Sequence, residues 1–148
     1  MADLITTIQE TVTVNGSLRG STNSVTTSDV NDVLERIVTC TQSVVTTIAV
    51  FAALPSTSPG AIDVDRTKYV RVTNIDPLES INLAVQGVVS SYTILLTPGN
   101  SHILSNGADV MLGEVGATTF GTLEDLASLQ VKPVTVNDVR VELFVGVE

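Results

Sequence analysis

The sequence is poor in the residue types that most catalytic sites use. Its 148 residues include no tryptophan, two tyrosines, three phenylalanines, one histidine and one cysteine. A nucleophile needs a nearby base, but His102 directly follows Ser101, so in a strand their side chains point to opposite faces. Cys40 has no partner for an internal disulfide and is expected to be a buried, small apolar residue. We therefore predict that the protein is not an enzyme and has no catalytic residues.

Basic residues are also scarce. Lys and Arg total 7 against 16 Asp and Glu, which gives a formal net charge of −9. Such a surface repels phosphate backbones and anionic lipids, so binding to nucleic acid or to a membrane is not expected. The richest apolar stretch, residues 44–54, is far too short to span a bilayer. The first residues lack the basic and apolar segments of a secretory signal, so we expect synthesis in the cytoplasm.

The carboxylates are scattered rather than clustered. Asp63 and Asp65 share strand parity, and Asp76 follows Asn74 in a predicted turn. Such oxygens can bind Ca²⁺, but no D-x-D-x-D-G loop is present, so a solvated strand face and an Asx turn are the preferred interpretations. Paired carboxylates also serve glycosidases, but those sites usually carry aromatic sugar platforms. The glycines lie beside turn residues rather than ahead of a helix. No metal and no cofactor is predicted.

The residues that are abundant favour β-structure. Valine and threonine dominate the composition, and β-branched side chains suit a pleated sheet better than a helix. Strand-like segments recur roughly every ten to twelve residues between turn signals, which is typical of a sandwich or barrel. We predict an all-β fold, a single antiparallel β-sandwich or jelly-roll-like domain over residues 29–148. The predicted strands are 34–41, 43–51, 69–73, 80–85, 92–97, 102–104 and 139–147.

Residues 1–28 are predicted to form a separate N-terminal hairpin or extended arm. Residues 4–14 partly alternate and end at Asn15-Gly16, the strongest short hairpin signal. Residues 17–28 are rich in Ser, Thr, Gly and Asn and indicate a loop or an extended arm.

Two segments carry weak helix signals. Ser28-Asp29 could cap a helical turn through residues 32–34, and Thr122 could cap one turn over residues 122–127.

Four arginines are candidate protein-interface residues: Arg19, Arg36, Arg71 and Arg140. The last three fall inside predicted strands, among valine and isoleucine. They either lie on the wet face of the sheet or meet acidic groups on a neighbouring subunit, where arginine is favoured. The sequence leaves both interpretations open.

Several strand-and-turn motifs also point to a known group of proteins. They are residues 10–16 (ETVTVNG), 36–39 (RIVT), 63–65 (DVD), 68–76 (KYVRVTNID), 96–101 (LTPGNS) and 103–106 (ILSN). With these motifs, roughly two-thirds of the chain resembles small virion structural proteins of marine and freshwater tailed bacteriophages.

The resemblance implies a non-enzymatic capsid decoration (cement) protein. Such a protein would bind the major capsid protein on the outside of the shell, as a homo-oligomer that we expect to be a trimer, and would localise to the virion. A tail or neck component is the alternative. A receptor- or glycan-binding tail module and a small hydrolase built around His102 are the remaining hypotheses.

Overall fold

The computed structural model describes residues 2–113 and 121–148. Within these ranges the chain forms β-strands, one 3₁₀ turn at Pro55–Thr57 and no α-helix. The strands are β1 (Ala2–Gln9), β2 (Val12–Val14), β3 (Ser17–Arg19), β4 (Thr22–Val30), β5 (Asp32–Cys40), β6 (Thr46–Ala52), β7 (Ile62–Asp63), β8 (Thr67–Asn74), β9 (Ile81–Gln86), β10 (Ser91–Leu96), β11 (Ser101–Leu104), β12 (Ser128–Pro133) and β13 (Val139–Val147).

Nine of these strands form two sheets. A four-stranded front sheet has the order β11-β8-β13-β5, and a five-stranded back sheet has the order β10-β9-β12-β6-β7. The pairings are antiparallel except for the short β6–β7 pair, which is parallel. The predicted all-β, sandwich-like fold is therefore confirmed.

The core lies between the inner faces of the two sheets. On β13, Val139, Val141, Leu143 and Val145 are fully buried and alternate with residues that face outward. The same alternation on β9 buries Ile81, Leu83 and Val85. The sequence predicted both patterns. Cys40 also lies in this core, and burial raises the pKa of its thiol to about 11.

The N-terminal segment forms a long two-stranded ribbon, residues 2–30, in which β1 pairs with β4 and β2 with β3. Asn15 and Gly16 turn the chain with φ values of 50° and 78°, as a two-residue hairpin requires. The predicted turn is confirmed. Residues 17–28, in contrast, are not a loop. Their pairing with β1 and β2 makes them β3 and most of β4, although they show no apolar alternation.

Both predicted helical turns are wrong. Asp29 has a φ of 63°, and β5 runs as a strand from Asp32, paired along its length with β13. Residues 122–127 form no helix, because Glu124 bridges to Met111 across an antiparallel pair. The sequence also missed β12, which lies between β6 and β9 in the middle of the back sheet. The long-range pairing decides these segments, and their local helix signals are weak.

Asn74 is a fully buried polar side chain that ties the two sheets together. From the end of β8, its amide donates to the backbone carbonyl oxygens of Glu79 at 2.8 Å and of Leu96, in the back sheet, at 3.0 Å. Its side-chain oxygen accepts from the Asp76 N–H at 3.1 Å. Its removal would leave three backbone groups to find other partners.

We therefore expect Asn74→Ala to lower the free energy of unfolding by about 3 kcal/mol, because buried backbone groups lose their partners. Urea-induced unfolding followed by circular dichroism would measure the change. Asn82→Ala, at an exposed position on β9, is the matched control and should cost less than about 0.5 kcal/mol. Equal losses in the two variants would contradict the role given to Asn74.

Candidate interaction surface

The ribbon rests on the outer face of the front sheet. The root of the ribbon, where β1 begins and β4 ends, packs on β13 at Gly146, which has no side chain. A Cβ atom placed on Gly146 would lie 3.5 Å from Val30 Cγ1 and 3.6 Å from Leu4 Cδ2. Val30 is buried there, and Leu4 is half-buried. The missing side chain of Gly146 therefore lets the ribbon lie close against the sheet.

The two faces of the ribbon differ in character. Leu4, Thr6 and Thr27 share one face and are partly buried, so this inner face points toward the sandwich. The same face continues toward the tip with exposed aliphatic side chains. They are Ile8, Val12, Val14 and Val25. The outer face is mostly Ser and Thr. The apolar face thus extends beyond the part of the sandwich that covers it.

An open groove of about 370 Å³ separates the ribbon from the front sheet. Consecutive residues Leu4 to Ile8 line one wall, so the edge of β1 faces the groove. The Glu10 N–H donates to Ser21 O at 2.8 Å. This bond identifies which residues of β1 direct their backbone N–H and C=O groups toward β4 and which direct them away. Even-numbered residues of β1 bond toward β4, so the N–H and C=O groups of Ile5 and Thr7 point toward the groove. They provide an open edge to which another strand can be added.

The floor of the groove is aromatic, aliphatic and charged. Arg71 pairs with Glu142, and its guanidinium lies 5.6 Å from the centre of the Phe144 ring. Tyr69 meets Phe144 edge-to-face, with 5.9 Å between ring centres. Ile103 on β11 adds a partly exposed aliphatic side chain. The floor therefore suits a partner that combines apolar side chains with some polar contact.

The four arginines do not form one cluster. Arg71 meets an acidic group within its own chain. Arg36 donates to the carbonyl oxygen of Ile48, the extra residue of a β-bulge between β6 and β12, and so links the two sheets at their edge. Arg140 is exposed on β13 and contributes to lowering the pKa of Asp76. Arg19 is exposed near the tip of the ribbon.

His102 and Tyr92 join the front and back sheets at another edge. The Tyr92 hydroxyl lies 2.8 Å from His102 Nε2, and the ring centres are 5.8 Å apart. Partial burial lowers the pKa of His102 below its usual value. A neutral imidazole can accept the hydroxyl proton at Nε2, whereas an imidazolium has no acceptor nitrogen.

The candidate carboxylates are engaged in turns. Asp63 accepts the Asp65 N–H at 3.2 Å, and Asp76 accepts the N–H groups of Leu78 and Glu79 at 3.0 and 2.9 Å. These backbone donors lower the pKa of Asp76. Glu124, which the sequence did not single out, accepts from the N–H groups of residues 89 and 90 and has a lowered pKa for the same reason. Across residues 2–113 and 121–148, no three His, Cys, Asp or Glu side chains group as a metal site would require.

A second exposed apolar surface lies at the opposite end of the sandwich from the root of the ribbon. The connections 41–45, 75–80 and 134–138 meet there. The Gln42 N–H donates to Asp138 at 2.8 Å, and the Asn137 amide donates to Glu79 at 2.6 Å. We call this group of connections the loop end. Its exposed aliphatic side chains are Val44, Val45, Leu78, Val134 and Val136.

No family model, curated protein or solved structure matches the chain. No helix within the described ranges is long and apolar enough to cross a membrane.

Stability should fall as the pH drops from about 7 to 5. Folding lowers the pKa of His102, so the unfolded chain binds a proton at a higher pH than the folded chain does. The stability that is present above the pKa of the unfolded chain is therefore lost as the pH falls through the pKa of the folded chain. Urea unfolding at several pH values would measure this loss. His102→Phe should flatten the curve in this range, and an unchanged slope would contradict the assignment.

Arg36→Met should lower the free energy of unfolding by about 1 kcal/mol, because the Ile48 carbonyl loses a charged donor while the aliphatic stem remains. Arg19→Met is the control on the exposed ribbon and should leave stability within about 0.5 kcal/mol of the wild type. Thermal melts of both variants would measure the difference. A neutral Arg36→Met would mean that the sheet edge does not depend on this bond.

Proposed function

We propose that the chain is a non-enzymatic structural protein of a tailed-phage virion. It binds the outside of the capsid as a decoration protein and stabilises the shell. The resemblance of the sequence motifs supports a location in the virion. One structural observation supports the docking role: the loop end exposes a group of aliphatic side chains that the chain itself does not cover. Exposed apolar groups rimmed by polar residues mark protein-binding surfaces.

The length of the sandwich separates this docking surface from the root of the ribbon. β5 runs nine residues from the root of the ribbon to the loop end, so the root and the loop end lie roughly 26 Å apart at the usual rise per residue. Leu78 and Val136 are 83% and 76% exposed at the loop end. In the proposed arrangement the loop end contacts the major capsid protein, and the ribbon stays free for neighbours. Contacts of modest strength, repeated over a lattice, then stabilise the shell.

The test is to strip the protein from purified particles, add it back and measure both rebinding and DNA release on heating. Val136→Asp should weaken rebinding at least about tenfold, because a carboxylate would be buried against the shell. Val88→Asp is the matched control, because Val88 is also 76% exposed and lies at the other end of the sandwich. It should bind as the wild type does.

Stripped particles that keep full resistance to heat and osmotic shock would refute the stabilising role. A copy number that matches one tail or neck ring, rather than the capsid lattice, would favour the tail or neck alternative. Equal binding by Val136→Asp and the wild type would remove the loop end as the docking surface.

A further inference from the structure

The turn at the tip of the ribbon places an asparagine directly before a glycine. Asn15 and Gly16 connect β2 to β3, with φ values of 50° and 78°. The Cγ atom of an asparagine can be attacked by the backbone nitrogen of the next residue. The attack is least hindered when that residue is glycine, because no side chain shields the nitrogen. The turn therefore has a chemical reactivity in addition to its conformation.

The surroundings of this turn leave the reacting groups unhindered. Asn15, Gly16 and Ser17 are all exposed, and a Cβ atom placed on Gly16 would meet no atom within 4 Å. Among the residues that the structure describes, neither the Gly16 N–H nor the Asn15 side-chain amide forms a hydrogen bond. Water therefore has access to the Gly16 nitrogen, and the Asn15 side chain can turn toward it without breaking a contact.

A second Asn-Gly pair in the same chain has the opposite surroundings. Gly107 follows Asn106 and is buried. Its N–H donates to Thr67 O at 3.1 Å and to Asn106 Oδ1 at 3.0 Å, and its carbonyl oxygen accepts from the Leu126 N–H at 2.8 Å. An amide nitrogen must lose its proton before it attacks, and hydrogen bonds to carbonyl oxygens hold this proton in place. The two pairs thus share a sequence and differ in structure.

We propose that Asn15 is a site of spontaneous covalent modification and that the fold protects Asn106. The Gly16 nitrogen forms a bond to Asn15 Cγ, the Cγ–Nδ2 bond breaks, and ammonia leaves with the proton of the Gly16 N–H. Water then opens the cyclic succinimide. Its attack at Cγ gives aspartate, whereas its attack at the main-chain carbonyl carbon gives isoaspartate, in which the backbone runs through Cβ and Cγ.

The modification changes the tip of the ribbon. Both products replace a neutral amide with a carboxylate. Isoaspartate also lengthens the backbone of the turn by one carbon atom, so the two-residue geometry that aligns β2 with β3 is lost. Each of these strands has three residues, and within the described residues they pair only with each other. A hairpin is marginal in water even with an intact turn, so the modified tip opens.

The test incubates the folded full-length chain in mildly alkaline buffer. Peptide mapping follows both asparagines, and an isoaspartyl methyltransferase labels the isoaspartate. Asn15 should react at least about tenfold faster than Asn106, because Gly107 must first give up buried hydrogen bonds. In concentrated urea these bonds are absent, so the two rates should become similar.

Trypsin reports on the opening of the tip, because Arg19 is the one basic residue among residues 1–30. Incubated wild type should be cut after Arg19 faster than fresh protein. Asn15→Gly is the matched variant, since glycine adopts the required φ and has no amide to react. After incubation it should carry no label at the turn and should be cut no faster than before. Circular dichroism would show that the variant is folded.

Equal rates at Asn15 and Asn106 in the folded chain would overturn the inference. So would an Asn15 that stays intact in the folded chain while both asparagines react in urea. Incubated wild type that carries isoaspartate but is cut no faster after Arg19 would overturn the opening of the tip. All of these measurements use the purified chain alone, so the proposed binding to the capsid is tested separately.

Discussion

The packing of two aliphatic sheets against each other is the interaction on which the structure depends. The innermost side chains come from the inner strands β8, β9, β12 and β13, and most are valine, leucine or isoleucine with no exposed surface. Valine has few rotamers to lose on burial, which keeps the entropic cost of a valine-rich core low. A core with few large aromatic rings, Phe51 among them, must be filled by many small contacts, so the outer elements can vary only where they leave this packing undisturbed.

Polar bonds at the margins give this apolar core a defined alignment. Asn74 joins the front sheet to the Leu96 carbonyl, Arg36 joins it to the Ile48 carbonyl, and His102 joins it to Tyr92. Each bond connects one sheet to the other at a different place on the perimeter. Hydrophobic burial is not directional, whereas these bonds require particular atoms to meet. Together they fix how one sheet lies across the other.

The sequence was informative where structure is decided locally. The Asn15-Gly16 turn and the alternation over residues 139–147 could be recognised because turn geometry and strand period are written in adjacent residues. β4 and β12 could not be recognised from the sequence, because their polar or irregular segments become strands only by pairing with distant partners. Arg36 is an exposed residue that bonds to the Ile48 carbonyl across the sheet edge, and no local sequence pattern predicts that bond. The groove joins residues 4–8 to a face built from β8, β11 and β13, so no single stretch of sequence signals it.

The position of β13 has a consequence for the folding pathway. It lies between β5 and β8, and its register places Val139 opposite Cys40, a residue almost a hundred positions earlier. The front sheet cannot close until this late strand arrives, so β5 and β8 spend that interval with bare edges. Folds dominated by such distant pairings fold in milliseconds to seconds. The ribbon, with its tight turn and nearby partners, can form in microseconds. Until β13 arrives, the ribbon also lacks Gly146, on which its root packs, so a marginally stable hairpin is attached to an open, aggregation-prone sheet.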